Sequence, residues 1–365
     1  YIIANFFGGG NAGEVMGNTN NYVMAGLVKG SLYAGGNGAT ATVYGNTNIY
    51  VGGSSTIGYT GGSIPTTGSV FGGGNAASTG VNTANNSKAT VMVTGGTIHG
   101  NVYGGANTAA VYGTTEVKVG SDITLSDSVI KGDINITGTV FGGGEANASG
   151  STNYDYSFIS VTKGIVVNIN GLDYTINIGG SVFGSGDASS TSGTSVINIS
   201  NLGTYESPKD LISIQRTNTL TINSSSLHLS GATDRTNEYS DKLFTLSIID
   251  ELDLKNGSTL YLENGANLLK TFKSVDSNNN LETVNIDSNN KTVTTSTTNR
   301  LYMLGDNNLN VATNESVTSY GNVYGMTFLG IYTKTNDGTI KRGIYDTNKG
   351  YGDTLSWGDV PSSGT

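Results

Sequence analysis

Val70-Phe71-Gly72-Gly73-Gly74-Asn75-Ala76 sets a ring, three glycines and an amide side by side, and five variants of it punctuate the first half of the chain. They are Phe6-Phe7-Gly8-Gly9-Gly10-Asn11-Ala12, Leu32-Tyr33-Ala34-Gly35-Gly36-Asn37, Val102-Tyr103-Gly104-Gly105-Ala106-Asn107, Val140-Phe141-Gly142-Gly143-Gly144-Glu145-Ala146 and Val182-Phe183-Gly184-Ser185-Gly186-Asp187-Ala188. A unit this small cannot bury its own apolar face, so recurring copies must bury it against one another in a stack. The rings Phe7, Tyr33, Phe71, Tyr103, Phe141 and Phe183 lie 26, 38, 32, 38 and 42 residues apart. One coil of a three-sided β-helix takes about two dozen residues, so the shortest step reads as a bare coil and the longer steps as coils carrying loops. Ser54–Gly68, Ala77–Ser87 and Gly150–Ser157, rich in Gly, Ser, Thr and Asn, are the expected loops.

Between boxes runs a second motif, as in Val43-Tyr44-Gly45-Asn46-Thr47-Asn48-Ile49-Tyr50-Val51 and Val111-Tyr112-Gly113-Thr114-Thr115-Glu116-Val117-Lys118-Val119. Its apolar–polar alternation puts every second side chain on one face of a half-buried strand. Corners at Gly52-Gly53, Gly95-Gly96 and Gly120-Ser121 follow it, and a short strand such as Thr97-Ile98 leads into the next box. The expected fold is all-β: a parallel β-helix, or β-solenoid, with one aromatic-glycine box per coil over residues 1–200. Over residues 201–345 the boxes stop, but Leu252-Asp253-Leu254, Leu260-Tyr261-Leu262 and Leu268-Leu269 recur every 8 residues. Three such sides make a coil of about 24 residues. That half reads as a continued β-helix with different corners, or as a separate second β-domain, with a seam near Pro208. Residues 346–365, which hold Trp357, read as a cap or linker.

Composition narrows the function classes. With 36% hydrophobic and only 12% charged residues the chain is not a disordered polyelectrolyte, and its 55 glycines follow no Gly-X-Y period. A net charge of −9, with arginine confined to Arg216, Arg235, Arg300 and Arg342, argues against nucleic acid or an anionic membrane as partner. Zero cysteines exclude disulfides and thiolate metal sites. No apolar run approaches the roughly 20 residues that span a bilayer, so no membrane insertion is expected within the fragment. The chain starts at Tyr1 and reads as a mature or excised piece of a longer protein.

The box itself has a structural reading and a functional rival. Consecutive glycines suit a corner that needs positive φ and leaves no room for a Cβ beneath the next coil. A phosphate-cradling loop needs a single glycine motif between strand and helix, and helical periodicity is absent. After the glycines come Asn11, Asn37, Asn75, Asn107, Glu145 and Asp187. Stacked about 4.8 Å apart, the asparagines can form an amide ladder. The two carboxylates at its end are expected to face solvent or to share a cation such as Ca²⁺; two ligands are few for a metal site, so solvated corner ends and no cofactor are expected ahead of bound Ca²⁺. The box rings either stack along the core or form an outward stripe for sugar rings.

Catalytic groups are sparse. His99 and His228 are isolated in strand patterns, with no sequence partner that suggests a triad or a zinc site. Asp250-Glu251-Leu252-Asp253 is the dense acidic cluster, read as a solvated strand edge ahead of a calcium site or a hydrolase pair. Thr292-Val293-Thr294-Thr295-Ser296-Thr297-Thr298 hints at an ice-binding array but occurs once.

The Gly-Gly-x-Ile-x-Gly-x-Val-aromatic-Gly-Gly pattern of Gly95 to Gly105 resembles the glycine-rich repeats of large secreted bacterial surface proteins of the adhesin type. The run Asn256-Gly257-Ser258-Thr259-Leu260-Tyr261-Leu262-Glu263-Asn264-Gly265-Ala266 resembles coils of autotransporter-like β-helices. The resemblance covers about residues 1–330 and implies a pectin-lyase-like solenoid outside the cell. It implies a non-enzymatic surface protein that adheres to a glycan or surface protein of a host or the environment, or that self-assembles into a filament or layer. The alternative it carries is a polysaccharide lyase or glycoside hydrolase of the tailspike depolymerase kind. No catalytic residues come with it, because no matching motif is present.

Overall fold

The computed structural model describes residues 4–231 and 246–263, apart from 62–66, 121–129, 146–159, 162–163, 172–173, 188–189 and 192, and beyond 263 the strand backbones and Asn299. Among the described residues the fold is all-β, without a helix. The chain divides into two compact units, Tyr1–Ile197 and Asn198–Thr365.

The first unit is a parallel β-helix of three strand columns. Thr19–Val28, Thr47–Ile57, Ser87–Val93, Gly113–Gly120 and Gly164–Asn170 pair in parallel, with Thr19, Thr47, Ala89 and Thr115 in one register. A shorter column sets Ile57, Ile98, Ile136 and Ile178 side by side. The box strands form the third, from Phe6-Phe7 through Val182-Phe183, each in register with the next. Single bridges join Val15, Val43, Thr79 and Val111 between the box and the long strand. Alternation along the long strands turns Ile49, Val51, Val91, Val93, Val117 and Val119 inward, where each is fully buried. Burying a side chain of this size contributes about 1.5–3 kcal/mol.

Two expected loops begin later than their composition suggests. Ser54–Ile57 remain in strand, because a bulge lets the chain turn the corner without breaking pairing: Val23 faces Val51 and Ala25 faces Ser54, so Gly52 and Gly53 together oppose Met24. Gly53 takes φ +57°, which glycine adopts without strain. In the next stretch Ala77 and Thr79 are fully buried and Thr79 bridges Val43 and Val111, so the excursion is only Gly80–Asn86. Gly150–Ser157 lies outside the described residues.

Of the two reasons expected for the box glycines, positive φ and the lack of room for a Cβ, only the second holds. None of the described box glycines has positive φ. Close approach of neighbouring coils requires them instead: a Cβ on Gly73 would lie 2.8 Å from Ala106 Cβ and 2.9 Å from its Cα and N.

In the second unit, Ile214–Asn223 pairs in parallel with Leu246–Lys255, which pairs with Ala266–Leu268 and Thr271–Val275. Lys209–Leu211, Ser226–Leu229, Thr259–Glu263 and Arg300–Leu304 make a second parallel sheet. Among the described residues a regular coil of about 24 residues is not seen. Leu252 is in register with Leu220 but also with Phe272, so the path returns after unequal lengths. Thr292–Thr295 pairs antiparallel with Val284–Asp287, as a hairpin rather than a coil face. Ser356–Asp359, with Trp357, pairs antiparallel with Ile340–Ile344.

Candidate functional site

The chemistry of the first unit is concentrated in columns that cross from coil to coil. The box rings point inward and form one stack: adjacent centroids from Phe7 through Phe183 are 4.8–5.1 Å apart. Tyr33, Phe71, Tyr103 and Phe141 are buried in a common cluster, with Phe7 and Phe183 partly buried at its ends. The ring spacing is that of paired strands, about 4.8 Å, so the backbone imposes the stack. The outward sugar-binding stripe of box rings is therefore not formed.

Beside the rings runs the amide ladder. Asn37 Nδ2 donates to Asn11 Oδ1 at 2.8 Å, Asn75 Nδ2 to Asn37 Oδ1 at 2.9 Å, and Asn107 Nδ2 to Asn75 Oδ1 at 2.7 Å. Glu145 and Asp187 continue the column through their backbones: Glu145 N–H donates to Ala106 C=O and Asp187 N–H to Gly144 C=O, each at 3.0 Å. Asp187 is exposed, whereas Glu145 is half-buried beside the Tyr103 hydroxyl. Burial, and then the charge of Asp187, push the Glu145 carboxyl above its ordinary range, with the neighbouring Tyr103 hydroxyl acting against them. Among the described residues no group of three His, Cys, Asp or Glu side chains is placed to hold a metal.

A second ladder runs along the corners before the rings, and its signal lies in the sequence. The residue two before each ring is Asn5, Ser31, Ser69, Asn101, Thr139 or Ser181, always a short side chain with an acceptor oxygen. Ser31 N–H donates to Asn5 Oδ1 at 2.8 Å, Ser69 N–H to Ser31 Oγ at 3.0 Å, and Asn101 N–H to Ser69 Oγ at 3.1 Å. Thr139 N–H then donates to Asn101 Oδ1 at 2.9 Å, and Ser181 N–H to Thr139 Oγ1 at 3.2 Å. Each corner thus satisfies the backbone donor of the coil after it. Across the core, the Thr19, Thr47 and Thr115 hydroxyls donate to the carbonyls of Ala34, Gly72 and Gly142, tying long strand to box.

The outer face of the long strands is sparsely charged. Tyr22 stacks on Tyr50 at 4.4 Å, and beside them Asn48 Nδ2 donates to Asn20 Oδ1 at 3.0 Å. Further along, Glu116 sits between Lys88 at 2.5 Å and Lys118 at 3.5 Å.

Of the histidines, His99 is part-buried in the short-strand column and its N–H donates to Ile57 C=O. His228 does have a partner: its Nδ1 lies 2.8 Å from Asp210 Oδ1, and Tyr261 meets it edge-on at 6.5 Å. Register alone brings them together, since Asp210, His228 and Tyr261 are neighbours across three parallel strands. The acidic cluster is not a solvated edge at Asp253, which is 3% exposed between buried Leu252 and Leu254 with Oδ2 3.0 Å from Lys255 Nζ. Burial of this carboxylate is tolerable because a cation accompanies it.

The second unit has its own corner column. Leu202 N–H donates to Ser225 Oγ, Ser225 N–H to Ser258 Oγ and Ser258 N–H to buried Asn299 Oδ1. Here the later coil supplies the acceptor, the reverse of the first unit.

Compared with known proteins, the chain matches no family model, no curated protein and no solved structure.

Proposed function

We propose that this chain is a non-enzymatic scaffold of the bacterial cell surface: an extracellular β-solenoid that presents its outer face and loops for adhesion, or that builds a filament or surface layer. One observation carries the reading. Ring, glycine, amide and corner hydroxyl, the residues that define the repeat, are all engaged inside the coil stack. What remains for a partner is the weakly charged outer face with its Tyr22–Tyr50 pair, together with the loops. The partner that suits this surface is a neutral glycan or a surface protein, since basic clusters for phosphate are lacking in the sequence.

A glycan and extracellular-matrix binding screen of the purified chain, run beside a reducing-end assay on common polysaccharides, tests the proposal. Saturable binding without new reducing ends is expected. Release of reducing ends that is lost in H228A would instead place the chain among the depolymerases. Sedimentation across a wide concentration range separates simple adhesion from self-assembly.

A further inference from the structure

We infer that Glu145 is a protonatable rung of the amide ladder: as the neutral acid it donates to Asn107 Oδ1 and carries the ladder into the fifth box, and as the carboxylate it interrupts it. This conformational device concerns the box column alone and does not depend on what the outer face binds.

The polarity of the ladder leads to it. Each asparagine N–H points to the earlier coil and each amide oxygen to the later one, from Asn11 through Asn107. Asn107 Oδ1 is buried and has no hydrogen-bond partner. The next rung is Glu145, stacked by the same backbone bond that stacks Asn107, whose N–H donates to Gly74 C=O at 3.0 Å. A carboxylate can only accept, so the ionised pair would set acceptor against acceptor and leave a buried oxygen unpaired. A neutral carboxyl supplies the missing donor.

Its other neighbours fit the same assignment. Asn101 Nδ2 donates to the Tyr103 hydroxyl at 2.8 Å, and that hydroxyl faces Glu145. Neutral Glu145 then accepts from Tyr103 with one oxygen and donates with the other. A single chain of bonds with one sense results, from Asn101 through Tyr103, Glu145, Asn107, Asn75 and Asn37 to Asn11, and each bond polarises the next. The other titratable groups near the carboxyl are Tyr33 in the second box and Asp187 in the sixth. Burial raises both Tyr33 and Tyr103, so these phenols stay neutral. Burial and Asp187 raise Glu145 itself, in the direction the assignment requires. For a carboxyl raised on folding, the stabilisation is complete below the ordinary value of about 4.3 and is lost as pH rises through the raised one.

Thermal unfolding of the full chain, followed from about pH 4 to about pH 8 across the ordinary glutamate value, tests the inference in wild type, E145Q, N107A and the double variant. Glutamine carries the donor at every pH. At the upper end E145Q should unfold about 2–4 °C above wild type, and the gap should close as pH falls. N107A should erase the gap, because the acceptor is gone. An E145Q protein no more stable than wild type at the upper end, a gap independent of pH, or a gap that survives N107A would overturn the assignment. If N107A does not fold, the carbon-13 shift of the Glu145 carboxyl decides: titration above the ordinary value supports the rung, and titration at or below it removes it.

Discussion

Gly73 carries the argument for single residues. Its φ lies outside the left-handed region, yet a Cβ there would press on the backbone of Ala106 one coil away. Backbone in a stacked coil cannot retreat as a flexible side chain can. G73V should therefore lower stability by about 1–3 kcal/mol or prevent folding, as overpacking does, and G73A should cost less in the same direction. Gly13 is the control, since nothing lies within 4 Å of the Cβ it would gain. G13A should be neutral or slightly stabilising in denaturant unfolding, and equal losses at both positions would contradict close approach as the reason for the box glycines. Sequence alone pointed to positive φ and to close approach together, because glycine runs suit both causes. Only the distance between coils tells them apart.

The ring stack and the corner ladder act as elements, and their members differ by position. Phe71 is 1% exposed with a ring on each side, whereas Phe7 stacks only on Tyr33 among the described rings and is partly buried. F71A should thus cost about 3–5 kcal/mol, and F7A clearly less, in equilibrium unfolding monitored by circular dichroism. Comparable losses would mean that the stack does not act as a column. The rings, their spacing and the parallel pairing were legible because one residue type recurs in each box. The corner ladder alternates Asn, Ser and Thr, which share an acceptor oxygen but look unlike as letters. His228 with Asp210 was hidden for another reason: cross-strand neighbours in parallel sheets are distant in sequence, and strand periodicity does not give register.

At the scale of the molecule, cohesion among the described residues comes from buried apolar columns and neutral hydrogen bonds, while the net charge of −9 is spread over 365 residues. In the first unit Glu116 pairs with Lys88 and Lys118, and Lys88 is 43% exposed. Raising sodium chloride from about 0.05 M to about 0.5 M should accordingly move the melting temperature by no more than about 2 °C, for exposed pairs contribute little and salt screens them. A larger drop would show that charge holds the fold. In the second unit short apolar strands were foreseeable, but their unequal returns were not, because no box marks where a coil closes. Gly80–Asn86 carries a last implication. The second and fourth coils pass from Val43 to Thr47 and from Val111 to Thr115 directly, whereas the third takes the detour from Thr79 to Ala89 and rejoins in perfect alignment. The architecture counts rungs rather than residues, which makes this detour a natural port where a foreign epitope could be spliced in while the windings on either side keep their places.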